Sequence, residues 1–297
     1  MLIRGHPFVK GPNTVGVVVT FANRKGGVGK TALSVTLAAG LALRAARQSP
    51  TPERILLIDL DPQSNATKTI ASTTQFSNTE SFAAAIADDE LLDVIGLKRP
   101  TPSALPRKTP DTWYPNLYFA PSRELLLVEV RRRMPGFAKR FETTGHALDT
   151  LKKEFAYVVV DTGPAIDDLL VTALAATDYV VVPVEATEFS IEGATRVRDK
   201  VAEIAGDHSH PRILGYVANK VRQHLLGDQN AMEAMRQVFG PLLYQAVIPS
   251  SVEVPYSQSA RSDVFRYSRR DQPIVAALAA FVEETTRRIA KAQANGS

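Results

Sequence analysis

The residues that most restrict this chain are Lys25-Gly26-Gly27-Val28-Gly29-Lys30-Thr31, a glycine-rich turn between an apolar run over 15–22 and a helical stripe of Leu33, Leu37 and Leu41. Strand, glycine loop and helix in that order are the context of a phosphate-binding loop. Gly26, Gly27 and Gly29 allow left-handed or crowded backbone, so successive N–H groups can turn inward around an anion. A helix opening near Thr31 adds unpaired N–H groups and the positive end of its dipole. On this reading the backbone from Gly26 to Ala32, Val28 included, cradles phosphate. Lys30 reaches the β- and γ-phosphates, and the Thr31 hydroxyl ligates Mg²⁺. The expected fold is α/β: a doubly wound, mostly parallel sheet with helices on both faces, in a single domain.

The common form of such a loop is Gly-x-x-x-x-Gly-Lys-Thr, whereas here a second lysine, Lys25, stands five residues before Lys30. In this the chain resembles the deviant Walker A loop of the ParA/MinD ATPases. The resemblance implies that Lys25 reaches across a dimer interface to the partner's nucleotide. A buried strand expected over 54–60 runs into Asp59-Leu60-Asp61-Pro62-Gln63, followed by Ser64-Asn65-Ala66-Thr67, and this too resembles the family's sequence. Residues just past the C-terminal edge of a parallel strand face the ligand crevice, which places both carboxylates near phosphate and metal. By resemblance Asp61 orients and polarises the attacking water, and Asp59 supports the loop and the metal shell.

A third apolar run, 157–160, ends in Asp161, the Walker B pattern, whose carboxylate holds Mg²⁺. The family commonly continues Asp-Thr-Pro-Pro; here Gly163 precedes Pro164. The strand expected over 213–218 leads to Asn219-Lys220-Val221-Arg222. A guanine site calls for Asn-Lys-x-Asp, and Arg222 stands where that carboxylate would be, so adenine is the better base and ATP the expected nucleotide. By resemblance Asn219 contacts the base, and the stretch from Pro249 lies against it. These motifs give catalytic residues Asp61, Lys25 and Lys30, and metal ligands Thr31, Asp61 and Asp161.

The chain has no cysteine, which excludes disulfides, zinc–thiolate sites and cysteine-held iron–sulfur clusters. Its net charge is only +4, yet residues 98–140 carry ten Lys/Arg against three Asp/Glu and 211–270 carry eight against four, together +11, leaving −7 elsewhere. A localised basic surface suits a polyanion. Arg261, Arg266, Arg269 and Arg270 are interleaved with Tyr256, Phe265 and Tyr267. Members of the resembled family bind DNA without sequence preference through C-terminal Lys/Arg, so these four, with Arg222, are the expected DNA contacts. The family's frequent Arg-Asn after the proline is Ser250-Ser251 here.

Residues 1–14 are expected to be a short flexible leader with no signal peptide, 15–292 the ATPase domain with a variable insertion over about 71–114, and 293–297 a tail. Further helices are expected over 82–95, 125–130 (capped by Ser122), 145–155, 167–176, 190–205, 231–239 and 273–292, and strands over 117–120, 179–184 and 243–248. The basic, proline-rich 99–110 is expected to be an extended loop. No run is long enough to span a membrane, and the tail of the last helix lacks the bulky apolar face of an interfacial anchor.

The resemblance implies an ATP-dependent, dimerising ATPase that binds non-specific DNA and partitions a plasmid or chromosome with a ParB-type partner. It implies a cytoplasmic, nucleoid-associated location and no membrane contact. The alternatives are an ATPase that distributes a protein cargo over the nucleoid and a MinD-like, membrane-associated regulator of division.

Overall fold

Runs of β-branched and aromatic residues build a seven-stranded sheet, in a computed structural model that describes residues 16–71, 81–86, 106–110, 113–133, 137–164, 168–206 and 210–295. In chain order the strands are β1 Val17–Phe21, β2 Ile55–Leu60, β3 Arg107–Lys108, β4 Leu117–Ala120, β5 Tyr157–Thr162, β6 Tyr179–Glu185 and β7 Arg212–Asn219. Their spatial order is β3-β4-β2-β5-β1-β6-β7. All pairings are parallel except that of the two-residue β3 with β4. Within the segment expected to be a featureless loop, Arg107 and Lys108 thus form an edge strand.

The helices are α1 Lys30–Gln48, α2 Asn65–Ile70, α3 Phe82–Ile86, α4 Glu124–Arg133, α5 Phe137–Glu154, α6 Asp168–Ala175, α7 Glu188–Ala205, α8 Leu226–Phe239, α9 Glu253–Ser259, α10 Val264–Tyr267 and α11 Pro273–Ala294. Alternate strand residues feed opposite faces. Val17, Val19, Phe21, Leu57 and Val159 pack with α1 and α11, while Val18, Leu56, Val158 and Val160 pack with α3 to α6. Val180, Val182 and Tyr216 meet α6, α7 and α8 on the second face. Helices on both faces of a parallel sheet are the doubly wound arrangement the sequence implies.

Two glycines set close approaches. A Cβ on Gly40, inside α1, would lie 2.6 Å from Val282 of α11, so the glycine lets the two helices touch. A Cβ on Gly16, just before β1, would lie 1.9 Å from the Phe155 carbonyl oxygen. The obstacle is backbone and cannot rotate away. Gly16→Ala is therefore expected to cost about 3 kcal/mol of stability, read as a lower urea midpoint.

The expected strand over 243–248 is not regular. Tyr244 N–H and Ile248 N–H reach the Tyr216 and Ala218 carbonyls of β7, but the Gln245 and Ala246 N–H groups are taken by the Glu284 carboxylate of α11 at 3.1 and 2.9 Å. A side chain from a packed helix thus interrupts the ladder. The Ser122 hydroxyl donates to the Asp61 carbonyl at 2.7 Å and its N–H to the Thr67 hydroxyl, tying the residues before α4 to the turn after β2. The expectations for 1–14, 87–105 and 296–297 lie outside the described residues, as do the side chains of Arg131–Arg133, Lys139 and Arg140. Among the described residues no helix is long and apolar enough to cross a membrane.

Candidate nucleotide site

The sheet register gathers the motifs at one edge. Phe21 pairs with Asp161, Asp59 with Asp161, and Glu185 with Asn219, so the C-terminal ends of five neighbouring strands open on the same side. Between β1 and α1 the loop is braced from several directions. Asn23 is fully buried; its Nδ2 donates to the Pro183 carbonyl at 2.6 Å and its Oδ1 accepts the Lys25 N–H at 2.9 Å. Gly27 and Gly29 are left-handed, with φ of 76° and 95°. A Cβ on Gly29 would sit 2.0 Å from Asn219 Nδ2, which donates to the Val28 carbonyl at 2.8 Å. The Asn219 N–H₂ group therefore works as a strut for the loop.

Lys30 opens α1 and is 6% exposed. Its Nζ donates to the Asn23 and Lys25 carbonyls at 3.1 and 3.3 Å. Burial lowers the affinity of this amine for its proton, and the Asp161 and Asp61 carboxylates oppose that shift. Lys25 turns the other way: its Nζ donates to Glu185 Oε2 at 2.9 Å and to Ser190 Oγ at 3.0 Å, both on its own chain.

Asp61 and Asp161 act on the Lys30 ammonium, and Asp59 neighbours both. Asp59 accepts the Asp61 N–H at Oδ1, and the Thr67 N–H and hydroxyl at Oδ2, at 3.0, 2.8 and 2.7 Å. It thereby fixes the turn that carries Asp61. Burial pushes the Asp59 carboxyl up to about 6 against those hydrogen bonds. Asp61 accepts the Gln63 N–H at Oδ1, 2.9 Å away. A Cβ on Gly163 would approach that same oxygen to 3.2 Å, so glycine after the Walker B strand gives Asp61 its room. Asp161 is fully buried; Oδ2 accepts the Thr31 hydroxyl at 2.7 Å and Oδ1 has no hydrogen-bond partner among the described residues. Burial, then the neighbouring Asp59, raises this carboxyl well above the usual range.

A buried carboxylate oxygen without a donor, beside a threonine hydroxyl and a second carboxylate, is a set of hard oxygen ligands that suits Mg²⁺. Asp161→Asn is expected to stabilise the nucleotide-free protein by about 1 kcal/mol, because it removes a buried, half-satisfied charge. The same change is expected to lower Mg²⁺-supported ATP turnover at least about 100-fold. Thermal melting and a phosphate-release assay on one preparation check both.

A cavity of about 930 Å³ spans this edge, lined by Gly26, Gly29 to Ala32, Asp61, Asn219, Lys220 and Pro249. Leu33, Ile248, Val254, Pro255 and Leu278 add apolar surface to its lining. An anion-binding loop and apolar surface in one cavity fit a nucleoside polyphosphate. Most of the residues read as phosphate, metal and base contacts thus line one cavity; Val28 and Asp161 are buried behind its wall, and the Lys25 ammonium turns to Glu185 instead.

The arginines are not one cluster. Arg261, left-handed with φ 53°, lines the nucleotide cavity. Arg266, Arg269 and Arg270 surround a separate depression beside Arg47 and Phe265. Arg266 donates to the Trp113 carbonyl at 2.8 Å and lies over the Tyr114 ring, and Arg269 pairs with Asp271. Arg222 is held bidentately by Asp228, Nη2 to Oδ1 at 3.0 Å and Nε to Oδ2 at 3.3 Å. Asn23, Gly163, Ser122 and Glu185 are site residues that the motifs did not single out.

A family model described as an AAA domain matches residues 16–212. The chromosome partitioning protein ParA of Caulobacter vibrioides is 32% identical over 257 residues, spanning 84% of this chain and 86% of that protein. The chain belongs to the ParA family of ATPases. Solved structures carry the same ParA/MinD-type fold. An ATP complex of a Cyanothece McdA variant superposes with a TM-score of 0.75 at 18% identity, covering 93% of this chain and 98% of that one. The Pyrococcus furiosus cell division ATPase MinD gives 0.68 at 17% identity, covering 92% and 99%. At these identities the likeness is one of fold, and ParA family membership rests on the sequence match and the motif order.

Proposed function

We propose that this protein is an ATP-driven, dimerising DNA-partition ATPase that rides on non-specific DNA and moves a plasmid or chromosome with a ParB-type partner. The observation that carries the reading is the convergence of Lys30, Thr31 and Asp61 on one cavity, with Asp161 behind Thr31 and hydrogen-bonded to its hydroxyl, and with a second lysine on the same loop outside that lining. The Caulobacter relative, named for chromosome partitioning, supports the assignment of the task.

In the cycle Lys30 and the loop N–H groups bind the β- and γ-phosphates of ATP. Thr31 and Asp161, with Asp61 near them, would hold Mg²⁺, which neutralises charge on the phosphates. Asp61, fixed by the Gln63 N–H and given space by Gly163, orients a water for attack on the γ-phosphorus. The bond to the ADP oxygen breaks, and ADP and phosphate leave. Lys25 contacts phosphate in the partner subunit, so ATP closes a face-to-face dimer and hydrolysis opens it. Closure brings two sets of Arg261, Arg266, Arg269 and Arg270 into one assembly, and phosphate neutralisation by several arginines gives affinity without base reading. Because Arg222 is already paired with Asp228, it contributes least to that surface.

Binding to an arbitrary DNA duplex, followed across a salt series with ATP, ADP or no nucleotide, tests the reading. The expected result is binding with ATP only, weakening steeply with salt. Equal binding in all three states would contradict it.

A further inference from the structure

Among the described residues three that are not glycine have a left-handed backbone: Ser64, Lys220 and Arg261, at φ 55°, 57° and 53°. Lys220 and Arg261 line the nucleotide cavity, and Ser64 stands between the lining residues Gln63 and Asn65. Such conformations are costly for a side chain, and they collect at functional sites. At Arg261 the local cause is visible. The turn that ends α9 is closed by two bonds, from the Arg261 N–H to the Gln258 carbonyl at 3.0 Å and from the Ser262 N–H to the Ser257 carbonyl at 2.9 Å. That pair of bonds needs a left-handed residue just after the helix cap, where glycine is the usual choice. Two residues on, Asp263 opens α10 by accepting the Phe265 and Arg266 N–H groups, so the turn is fixed from both sides. The backbone favours glycine at 261, and the chain places an arginine there.

The side chain is also uncommitted. Arg222 is paired with Asp228, Arg266 rests on the Trp113 carbonyl and the Tyr114 ring, and Arg269 is paired with Asp271. The Arg261 guanidinium has no hydrogen bond, ion pair or ring contact among the described residues. It ends a strip of cavity lining that includes Ile248, Pro249, Val254, Pro255 and Gln258 and carries no cation before it. Phosphate already has Lys30 and the loop N–H groups, whereas an apolar strip suits a base, and a flat guanidinium stacks on the face of an aromatic ring. We propose that Arg261 is a nucleotide-binding residue that lays its guanidinium on the adenine of ATP in its own subunit. The inference rests on the reading of the cavity as an ATP site and goes beyond it by giving the nucleoside a cation of its own. In the ATP state, neutralisation of DNA phosphate then falls to Arg266, Arg269 and Arg270.

The test uses the full chain with Arg261→Gly, which relieves the turn, and Arg261→Lys, which keeps the charge and loses the flat fork. Arg261→Gly is expected to unfold at the same urea concentration as the parent or a higher one, because glycine takes positive φ without strain. In equilibrium titrations with Mg²⁺ the same variant is expected to bind ATP and ADP each about fivefold more weakly, with binding of inorganic tripolyphosphate unchanged. Arg261→Lys is expected to recover little of that loss. Unchanged ATP and ADP affinity in Arg261→Gly, with a parent that binds both, would overturn the proposal, and weaker DNA binding by that variant at saturating ATP would then return Arg261 to the DNA surface. An equal loss for tripolyphosphate would overturn the contact with the nucleoside, and full recovery by lysine would overturn the stacking. Weaker binding together with a lower urea midpoint would overturn the proposal in favour of a structural role. Failure of the parent to bind ATP would instead overturn the reading of the cavity itself.

Discussion

Lys30→Ala is expected to weaken ATP binding about 100-fold and to abolish measurable turnover. Lys30 is a buried cation near the Asp61 and Asp161 carboxylates, and its Nζ now rests on the Asn23 and Lys25 carbonyls, groups that a phosphate oxygen can outbid. A charge-assisted hydrogen bond of this kind is worth about 3 kcal/mol, roughly 100-fold in affinity. The loss goes further than one contact, because the triphosphate would then meet Asp61 and Asp161 without the cation that acts on both carboxylates. Nucleotide affinity by fluorescence titration, alongside phosphate release, checks this, and normal turnover in the variant would sink the loop assignment.

Asp61→Ala is expected to separate binding from hydrolysis. The carboxylate is held by the Gln63 N–H, its backbone N–H is fixed by Asp59 and its carbonyl by Ser122, so the water-orienting group sits on a turn tied down at three points. Removing the carboxylate alone leaves Lys30, Thr31 and Asp161 in place. Turnover is expected to fall about 100-fold or more, the usual contribution of a positioned acid–base group. ATP binding should survive, and the variant should accumulate as an ATP-bound dimer on DNA. A variant that still hydrolyses ATP and stays monomeric would refute the role given to Asp61.

The contrast between these two variants shows which parts of the site could be read from sequence. Residues that act through their own local geometry were legible. Gly27 and Gly29 are left-handed where the loop motif requires it, Lys30 opens the helix, and Asp59, Asp61 and Asp161 end runs of β-branched residues whose burial is evident from composition alone. The doubly wound sheet follows from the same alternation of apolar runs and helical stripes.

What escaped was set by register and packing between distant segments. Ser122, read as a helix cap, has a further task, because β4 delivers its hydroxyl to the Asp61 carbonyl in the turn after β2. The apolar run 243–248 reads as a strand, yet Glu284 from α11 takes two of its N–H groups. Gly163 looks like a loosened turn and is instead the space that Asp61 occupies. Asn219, read as a base contact, also braces the loop through the Val28 carbonyl. Arg222, read as cationic surface, is paired with Asp228 six residues later. All but the last depend on a neighbour that no local window of sequence contains.

Equilibrium titration of ATP into the nucleotide-free chain, with Mg²⁺ and with a chelator, decides whether the cavity at the strand edge is a Mg²⁺–ATP site. Saturable binding of one ATP per chain is expected, tighter with Mg²⁺ because Thr31 and Asp161 would hold the cation, and with weaker binding of GTP. Absence of ATP binding, or binding indifferent both to Mg²⁺ and to the base, would contradict it.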